Sequence, residues 1–307
     1  MQSEVIKIDH FTMDFGNGDG VFDLSLTINK GEMVGLVGTN GAGKTTTMRT
    51  IMGFLKPDKG KVTINGKDSW KDAYEIKKAI GYVPGSIAFP PVATGTVFLK
   101  IQSDFWGIKD DTYTNQLIDL FKFDAGADLK RMSKGMKQKT AIVAAFMPKP
   151  DILILDEPTT GLDPVMRDAA IGLIQEQKRQ GKTVFMSSHM FDELEQTCDR
   201  VAFIKEGKLI DLVSMADISG HKEREYRIGF ESETDMQTFM AKGYKVITSN
   251  PAATHLNIGI LDSQINKLFA DLSELTLRYI QYVPYNLEKY FNDNFVNTKR
   301  KEDNLYV

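Results

Sequence analysis

Eight consecutive residues constrain this chain more than any others: Gly38-Thr39-Asn40-Gly41-Ala42-Gly43-Lys44-Thr45. They follow a short apolar run, 33–37, suited to a buried strand, and they lead into a helical pattern over 44–52. A strand, a glycine-rich loop and Lys-Thr at the head of a helix make the pattern of a phosphate cradle. The glycines let backbone N–H groups turn inward without a Cβ in the way. The helix N-terminus adds partial positive charge. Lys44 is then expected to reach the β- and γ-phosphates of a nucleotide, and the Thr45 hydroxyl to ligate Mg2+.

The rest of the chain reads as an α/β protein. Strands are expected at 5–11, 24–28, 61–64, 80–83, 151–155 and 183–187, with a hairpin over 201–212. Apolar spacing predicts helices over 96–105, 112–121 and 133–146, so a helical insert of about 86–148 interrupts the core. Composition shifts near Ser219, and 226–283 reads strand, helix, strand, strand, helix, strand. That order matches a small α+β, ferredoxin-like unit. The expected division is 1–217 for the nucleotide domain, 218–296 for the accessory domain and 297–307 for a charged tail.

A second chemical feature is the apolar strand Ile152-Leu153-Ile154-Leu155 ending in Asp156-Glu157. Two acids at a strand's carboxyl end fall at the ligand crevice of an open α/β sheet. Asp156 is the expected Mg2+ partner, through water. Glu157, one residue on, suits polarisation of an attacking water.

Further segments appear in a fixed order. Met132-Ser133-Lys134-Gly135-Met136-Lys137-Gln138 precedes the acidic strand, Gly161-Leu162-Asp163 follows it, and Ser187-Ser188-His189 follows the next strand. Taken together over roughly 4–215, these motifs resemble the ABC transporter ATPases, whose fold is a P-loop NTPase core with an antiparallel β subdomain and a helical insert. The resemblance implies ATP and Mg2+ as cofactors. It implies ATP contacts at Phe15, stacking on adenine, and at Gly38, Thr39, Asn40, Gly41, Ala42, Gly43, Lys44, Thr45 and Thr46. It implies catalytic roles for Glu157 and for His189, the latter as a γ-phosphate switch. It implies that Ser133 and Gly135 face the ATP of a second ATPase subunit, homomeric or heteromeric, in a head-to-tail pair, with Asp163 bridging the interface. Ser133 equally reads as the N-cap of its own helix.

Two departures stand out. Lys134 and Met136 replace the first Gly and the Gln of the common Leu-Ser-Gly-Gly-Gln signature. This form resembles the bacterial ABC-2-type branch, often exporters, which implies a separate permease partner. Gly85-Ser86 stands where the family has Gln or Glu; either Ser86 or a water is expected to complete the magnesium shell, and a Gln at 85 is expected to preserve or raise activity. Phe89, Pro90, Pro91, Val92 and Phe98 form either a groove for a permease helix or core of the insert.

The bulk properties set limits. The net charge of −3 and pI of about 5.9 do not suit a phosphate-backbone binder, so no nucleic acid partner is expected. One cysteine, Cys198, excludes an internal disulfide framework and reads as a small buried apolar residue. No stretch approaches a spanning helix and the first residues do not form a signal peptide, so the expectation is a cytoplasmic chain held at the inner membrane face by its permease. A soluble ABC-type ATPase with a non-transport role is the alternative. The short gap between phosphate loop and signature, and the single cassette, speak against it.

Overall fold

The computed structural model describes residues 3–296, and the charged tail expected over 297–307 lies outside them. Strands β1 (Glu4–Gly16) and β2 (Asp19–Asn29) pair antiparallel. Alternation points Ile6 and Ile8 inward, and continuing it would bury His10. Instead the register slips between Ile8 and Phe11, His10 takes φ +49°, and Phe11 and Met13 turn inward. The slip extends the strand well past the expected residue 11.

Next come β3 (Met33–Val37), α1 (Lys44–Ile51), β4 (Lys59–Ile64), β5 (Lys67–Asp68), α2 (Ala73–Lys77) and β6 (Ile80–Val83). The insert supplies α3 (Gly95–Trp106), α4 (Thr112–Phe121) and α5 (Lys134–Phe146). After it stand β7 (Ile152–Asp156), α6 (Pro164–Arg179), β8 (Thr183–Ser188), α7 (Phe191–Thr197), β9 (Arg200–Lys205), β10 (Lys208–Ser214) and α8 (Met215–Ser219). Three helix starts are written locally. Thr94, Ser133 and Asp163 each accept a backbone N–H of the first turn, and Pro164 occupies the first turn of α6.

Two sheets result. One is antiparallel, in the order β2-β1-β4-β5. The other has the order β10-β9-β3-β8-β7-β6 and is parallel except for β10. Every residue of β3, β7 and β8 is buried, as expected for strands covered on both faces. Register sets where these strands end. Val37 pairs with Ser188, Asp156 with Ser187, and Val83 with Leu155. The ends of these four neighbouring strands therefore fall within two residues of one another, and the segments after them open on one edge.

The described residues divide into two compact units between Met215 and Ala216. The second holds β11 (Glu223–Phe230), α9 (Glu233–Met240), β12 (Lys245–Asn250), β13 (His255–Leu261), α10 (Ile265–Leu272), β14 (Leu277–Val283) and α11 (Leu287–Phe291). Its sheet, ordered β12-β13-β11-β14, is antiparallel throughout. Ile228, Phe230, Leu256, Ile258 and Ile260 pack with Met236 and Phe239 of α9 and Leu268 and Leu272 of α10. Each such buried side chain contributes about 1.5–3 kcal/mol. The intervening strand positions carry polar groups: Asn257 donates to Glu225 at 2.6 Å, and Lys289 of α11 pairs with the same carboxylate.

Cys198 closes α7 and is buried. Burial pushes its thiol up to about 12, so it stays protonated in the folded state. Because the thiolate is the reactive form, Cys198 is expected to resist a disulfide reagent at pH 8 in native protein and to react promptly in denaturant. Prompt labelling of the native chain, read by absorbance, would contradict this burial.

Candidate active site

The phosphate loop runs from the end of β3 into α1. Gly43 caps α1 at φ +104°, where a side chain is strained, and an added Cβ would meet Val21 at 2.7 Å. Asn40, Gly41, Ala42, Gly43, Lys44, Thr45 and Thr46 line a cavity of about 450 Å3 with Phe15, Asp19, Gly20, Gly85, Glu157 and Thr160. Phe15 is 59% exposed, an aromatic ring at the mouth with no core to fill. Lys44 is buried; its ammonium donates to the carbonyls of Gly38 at 2.7 Å and Thr39 at 3.2 Å and lies 3.3 Å from Glu157 Oε1.

Glu157 follows β7 with φ +51°, a conformation that costs a non-glycine residue on the order of 1–3 kcal/mol and persists only where the surroundings hold it. They do so from several sides. Its N–H donates to Ser187 O at 3.2 Å and Ser187 Oγ at 3.0 Å. Its Oε2 accepts the Thr160 hydroxyl at 3.0 Å and lies 2.5 Å from His189 Nδ1. Burial pushes the carboxyl up. His189, the Lys44 charge and Thr160 outweigh it and hold the group below the usual carboxylate range. Glu157 is thus an anion at neutral pH, poised at the cavity.

Asp156 is wholly buried. Ser187 Oγ donates to its Oδ1 at 2.6 Å, while Oδ2 has no hydrogen-bond partner among the described residues. An open acceptor this deep is costly unless something else satisfies it. Asp156 does not itself line the cavity, but Gly85 does, and a Cβ there would stand 2.6 Å from Oδ2. A missing side chain therefore leaves room over an unsatisfied oxygen. This donor set fits Mg2+, which binds through one or two protein oxygens and keeps waters and substrate phosphates as its other ligands. Among the described residues no group of three or more His, Cys, Asp or Glu offers an all-protein metal site. The neighbouring Tyr82 phenol is pushed up to about 12 by burial and then by the Asp156 charge, so it adds no second anion.

Ser133, Gly135 and Asp163 do not line this cavity. Ser133 Oγ caps α5 by accepting Met136 N–H at 3.2 Å, and Asp163 caps α6 by accepting Met166 N–H at 3.0 Å. The head of α5 lies against the loop after Glu157: a Cβ on Gly135 would meet Gly161 O at 2.8 Å. Gly38 and Thr39 enter through their carbonyls on Lys44. Sequence reasoning gave no role to Ser187, Thr160 or Gln138, whose Nε2 donates to Pro158 O at 2.7 Å. Hydroxyls and amides of this kind carry no pattern of their own; only the register of β7 against β8 brings Ser187 beside Asp156.

The comparisons with known proteins agree with this architecture. The family profile described as ABC transporter matches residues 21–160. The bacitracin transport ATP-binding protein BcrA of Bacillus licheniformis is 30% identical over 297 residues, 94% of this chain and 96% of that protein. The Nod factor export ATP-binding protein I of Burkholderia lata is 34% identical over 201 residues, 64% of this chain and 66% of that one. A solved ATP binding subunit of an ABC transporter superposes with a TM-score of 0.63 at 28% identity, covering 70% of this chain and 92% of its own. The chain belongs to the ABC transporter family of ATP-binding proteins. Within that family it is the ATP-binding and ATP-hydrolysing subunit of a transporter.

The surroundings of Gly85 bear on one expectation. A Gln at 85 was expected to preserve or raise activity, yet its first carbon would collide with the Asp156 carboxylate. Both Gly85→Ala and Gly85→Gln are expected to lower Mg2+-dependent ATP turnover by about tenfold or more, because they displace Asp156 or fill the room above it. Wild-type turnover in Gly85→Gln, measured by phosphate release, would show that Asp156 yields without cost.

Proposed function

We propose that this chain drives export of a substrate through a separate permease, using paired ATP sites in a dimer. The observation that carries the reading is Glu157, an anion held in a left-handed conformation between Lys44, Thr160 and His189 at the mouth of the phosphate cavity.

In this reading backbone N–H groups of residues 38–46 cradle the triphosphate of ATP. Lys44 exchanges its present carbonyl partners for phosphate oxygens. Glu157 Oε1, freed from Lys44, takes the proton of the attacking water as general base. His189 keeps Oε2 oriented through Nδ1 and presents its other ring nitrogen toward the γ-phosphate. Thr45 Oγ1 and the open Oδ2 of Asp156, the latter through water, would hold Mg2+. That ion would neutralise charge on the leaving phosphates.

The signature elements serve a second copy. Ser133 and Gly135 stand at the head of a thirteen-residue helix with no acid in its first turn, and they do not line their own cavity. A helix N-terminus favours an anion, so the phosphates of a partner suit it. Asp163 then contributes at the interface between copies. The homo- or heteromeric choice does not change this geometry.

A cavity of about 220 Å3, lined by Tyr82, Ile87, Phe89, Phe98, Phe105 and Trp106 among others, is the docking groove for a permease helix. Of the residues singled out in sequence, Phe89 and Phe98 line it and stack edge-on at 4.8 Å; Pro90, Pro91 and Val92 do not. No helix among the described residues is long and apolar enough to cross a membrane, which suits a chain held at the inner face by its permease. Export as the direction draws on the names of its relatives, a bacitracin transport protein and a Nod factor export protein. The unit from Ala216 onward is read as a ferredoxin-like accessory domain, consistent with its strand order.

Glu157→Gln keeps the shape of the side chain and removes the base. Wild-type specific activity is expected to rise with protein concentration, and the variant to lose about 100-fold or more of turnover while dimerising with ATP. Light scattering and phosphate release measure both. A fully active variant, or a concentration-independent monomer that hydrolyses ATP, would sink the paired-site mechanism.

A further inference from the structure

Glu193 is a fully buried carboxylate that the hydrolytic reading leaves unused. It sits in the first turn of α7. Its Oε1 accepts the Thr159 hydroxyl at 2.7 Å, and its Oε2 accepts the Ser188 hydroxyl at 2.8 Å. Both partners are neutral hydroxyls. Burying a carboxylate against neutral donors is costly, and an apolar side chain of similar size would stabilise the same place better. Stability alone is therefore a poor reason for its presence.

Its partners suggest a better one. Thr159 lies two residues after Glu157, in the turn that leaves β7. Ser188 is the last residue of β8 and immediately precedes His189. The ends are themselves fixed: Met190 N–H donates to Ser188 Oγ at 3.0 Å, and Thr197 Oγ1 donates to the Glu193 carbonyl at 2.7 Å. Glu193 is thus a two-pronged clamp between the two strand ends that supply Glu157 and His189, whose side chains meet at 2.5 Å. A carboxylate is suited to this because both oxygens accept, so both hydroxyls donate toward one rigid group. An amide accepts on one side only.

We propose that Glu193 is a positioning residue, which sets the spacing and orientation of Glu157 and His189 by tying Thr159 to Ser188. The proposal rests on the reading of Glu157 and His189 as the catalytic pair. It predicts an effect on the pair's geometry rather than on ATP binding, because neither Glu193, Thr159 nor Ser188 lines the phosphate cavity.

The test uses the full chain with 15N-labelled histidine. The chain has four histidines, so the His189 side-chain signals are assigned by their loss in His189→Asn. Glu157→Gln supplies the reference for a changed pair. Glu193→Gln is close to isosteric, and Thr159→Val and Ser188→Ala each remove one prong should Glu193→Gln fold poorly. Each is expected to move the His189 signals toward the Glu157→Gln position. Each is expected to lower kcat by about 10- to 100-fold, since small misplacements of reacting groups cost that much, with KM for ATP within about twofold of wild type. If His189 signals and kcat stay at wild-type values while only the melting temperature falls, Glu193 is a structural group and the proposal is overturned. If Glu157→Gln itself leaves the His189 signals unmoved, the pairing beneath the proposal is what fails. The NMR comparison decides even where turnover of the isolated chain is slow.

Discussion

The register of the parallel strands is the constraint on which the site depends. Side chains at a strand's carboxyl end are useful to one another only if neighbouring strands stop level. Here Val37, Val83, Asp156 and Ser188 terminate four adjacent strands, and the pairings Val37–Ser188 and Asp156–Ser187 lock them in step. A slip of one residue would exchange the two faces of a strand that is buried on both. The cost would be large, so the ligand edge inherits its precision from packing far beneath it. Apolar burial of Leu36, Ile154, Leu155 and Phe185 is what holds Ser187 within 2.6 Å of Asp156.

On that edge, one hydroxyl organises two acids. Ser187 donates to Asp156 and accepts from the Glu157 amide, so adjacent carboxylates point to different tasks. Their environments differ accordingly. Glu157 faces Lys44, Thr160 and His189 and lines the cavity. Asp156 keeps one oxygen unpaired beside a glycine. Opposite demands on neighbouring carboxylates are met by what surrounds them rather than by their chemistry, which is the same.

Much of this was legible in the sequence where a pattern is local. The limits of β3, β6 and α4 match the expected residues, because short apolar runs and helical spacing are written within each segment. The phosphate loop and the Asp156-Glu157 strand end were visible for the same reason. The reading stopped where a contact depends on two distant segments. The slip at His10 sets the length of β1, and nothing in 5–11 announces it. Helix α7, with Phe191-Asp192-Glu193-Leu194-Glu195, has the look of an acidic solvated turn, yet folding carries Glu193 inward to meet Thr159 and Ser188. The consequence of Gly85 was likewise hidden, since only the fold shows that Asp156 lies against it.

The loop after Glu157 joins these parts to the helical insert. Gln138, one turn into α5, donates to the Pro158 carbonyl, and the stem of Lys134 lies 3.2–3.3 Å from where a Gly161 side chain would begin. Gly135 approaches the Gly161 carbonyl too closely for any side chain to fit. The head of α5 is therefore hydrogen-bonded to Pro158 and lies close against Gly161, and residues 157–160 are fastened to β8 and α7 through Ser187 and Glu193. A displacement of Glu157 cannot be absorbed locally, because packed and hydrogen-bonded groups on both sides must move with it. The lysine that departs from the common signature fits this arrangement: a flexible aliphatic stem covers the glycine of the loop while its charge remains in water. Ser133 and Gly135 thus belong mechanically to the same body as the loop after Glu157, although they do not line its cavity. In the proposed paired arrangement, that continuity couples the state of one phosphate site to the face presented to the other.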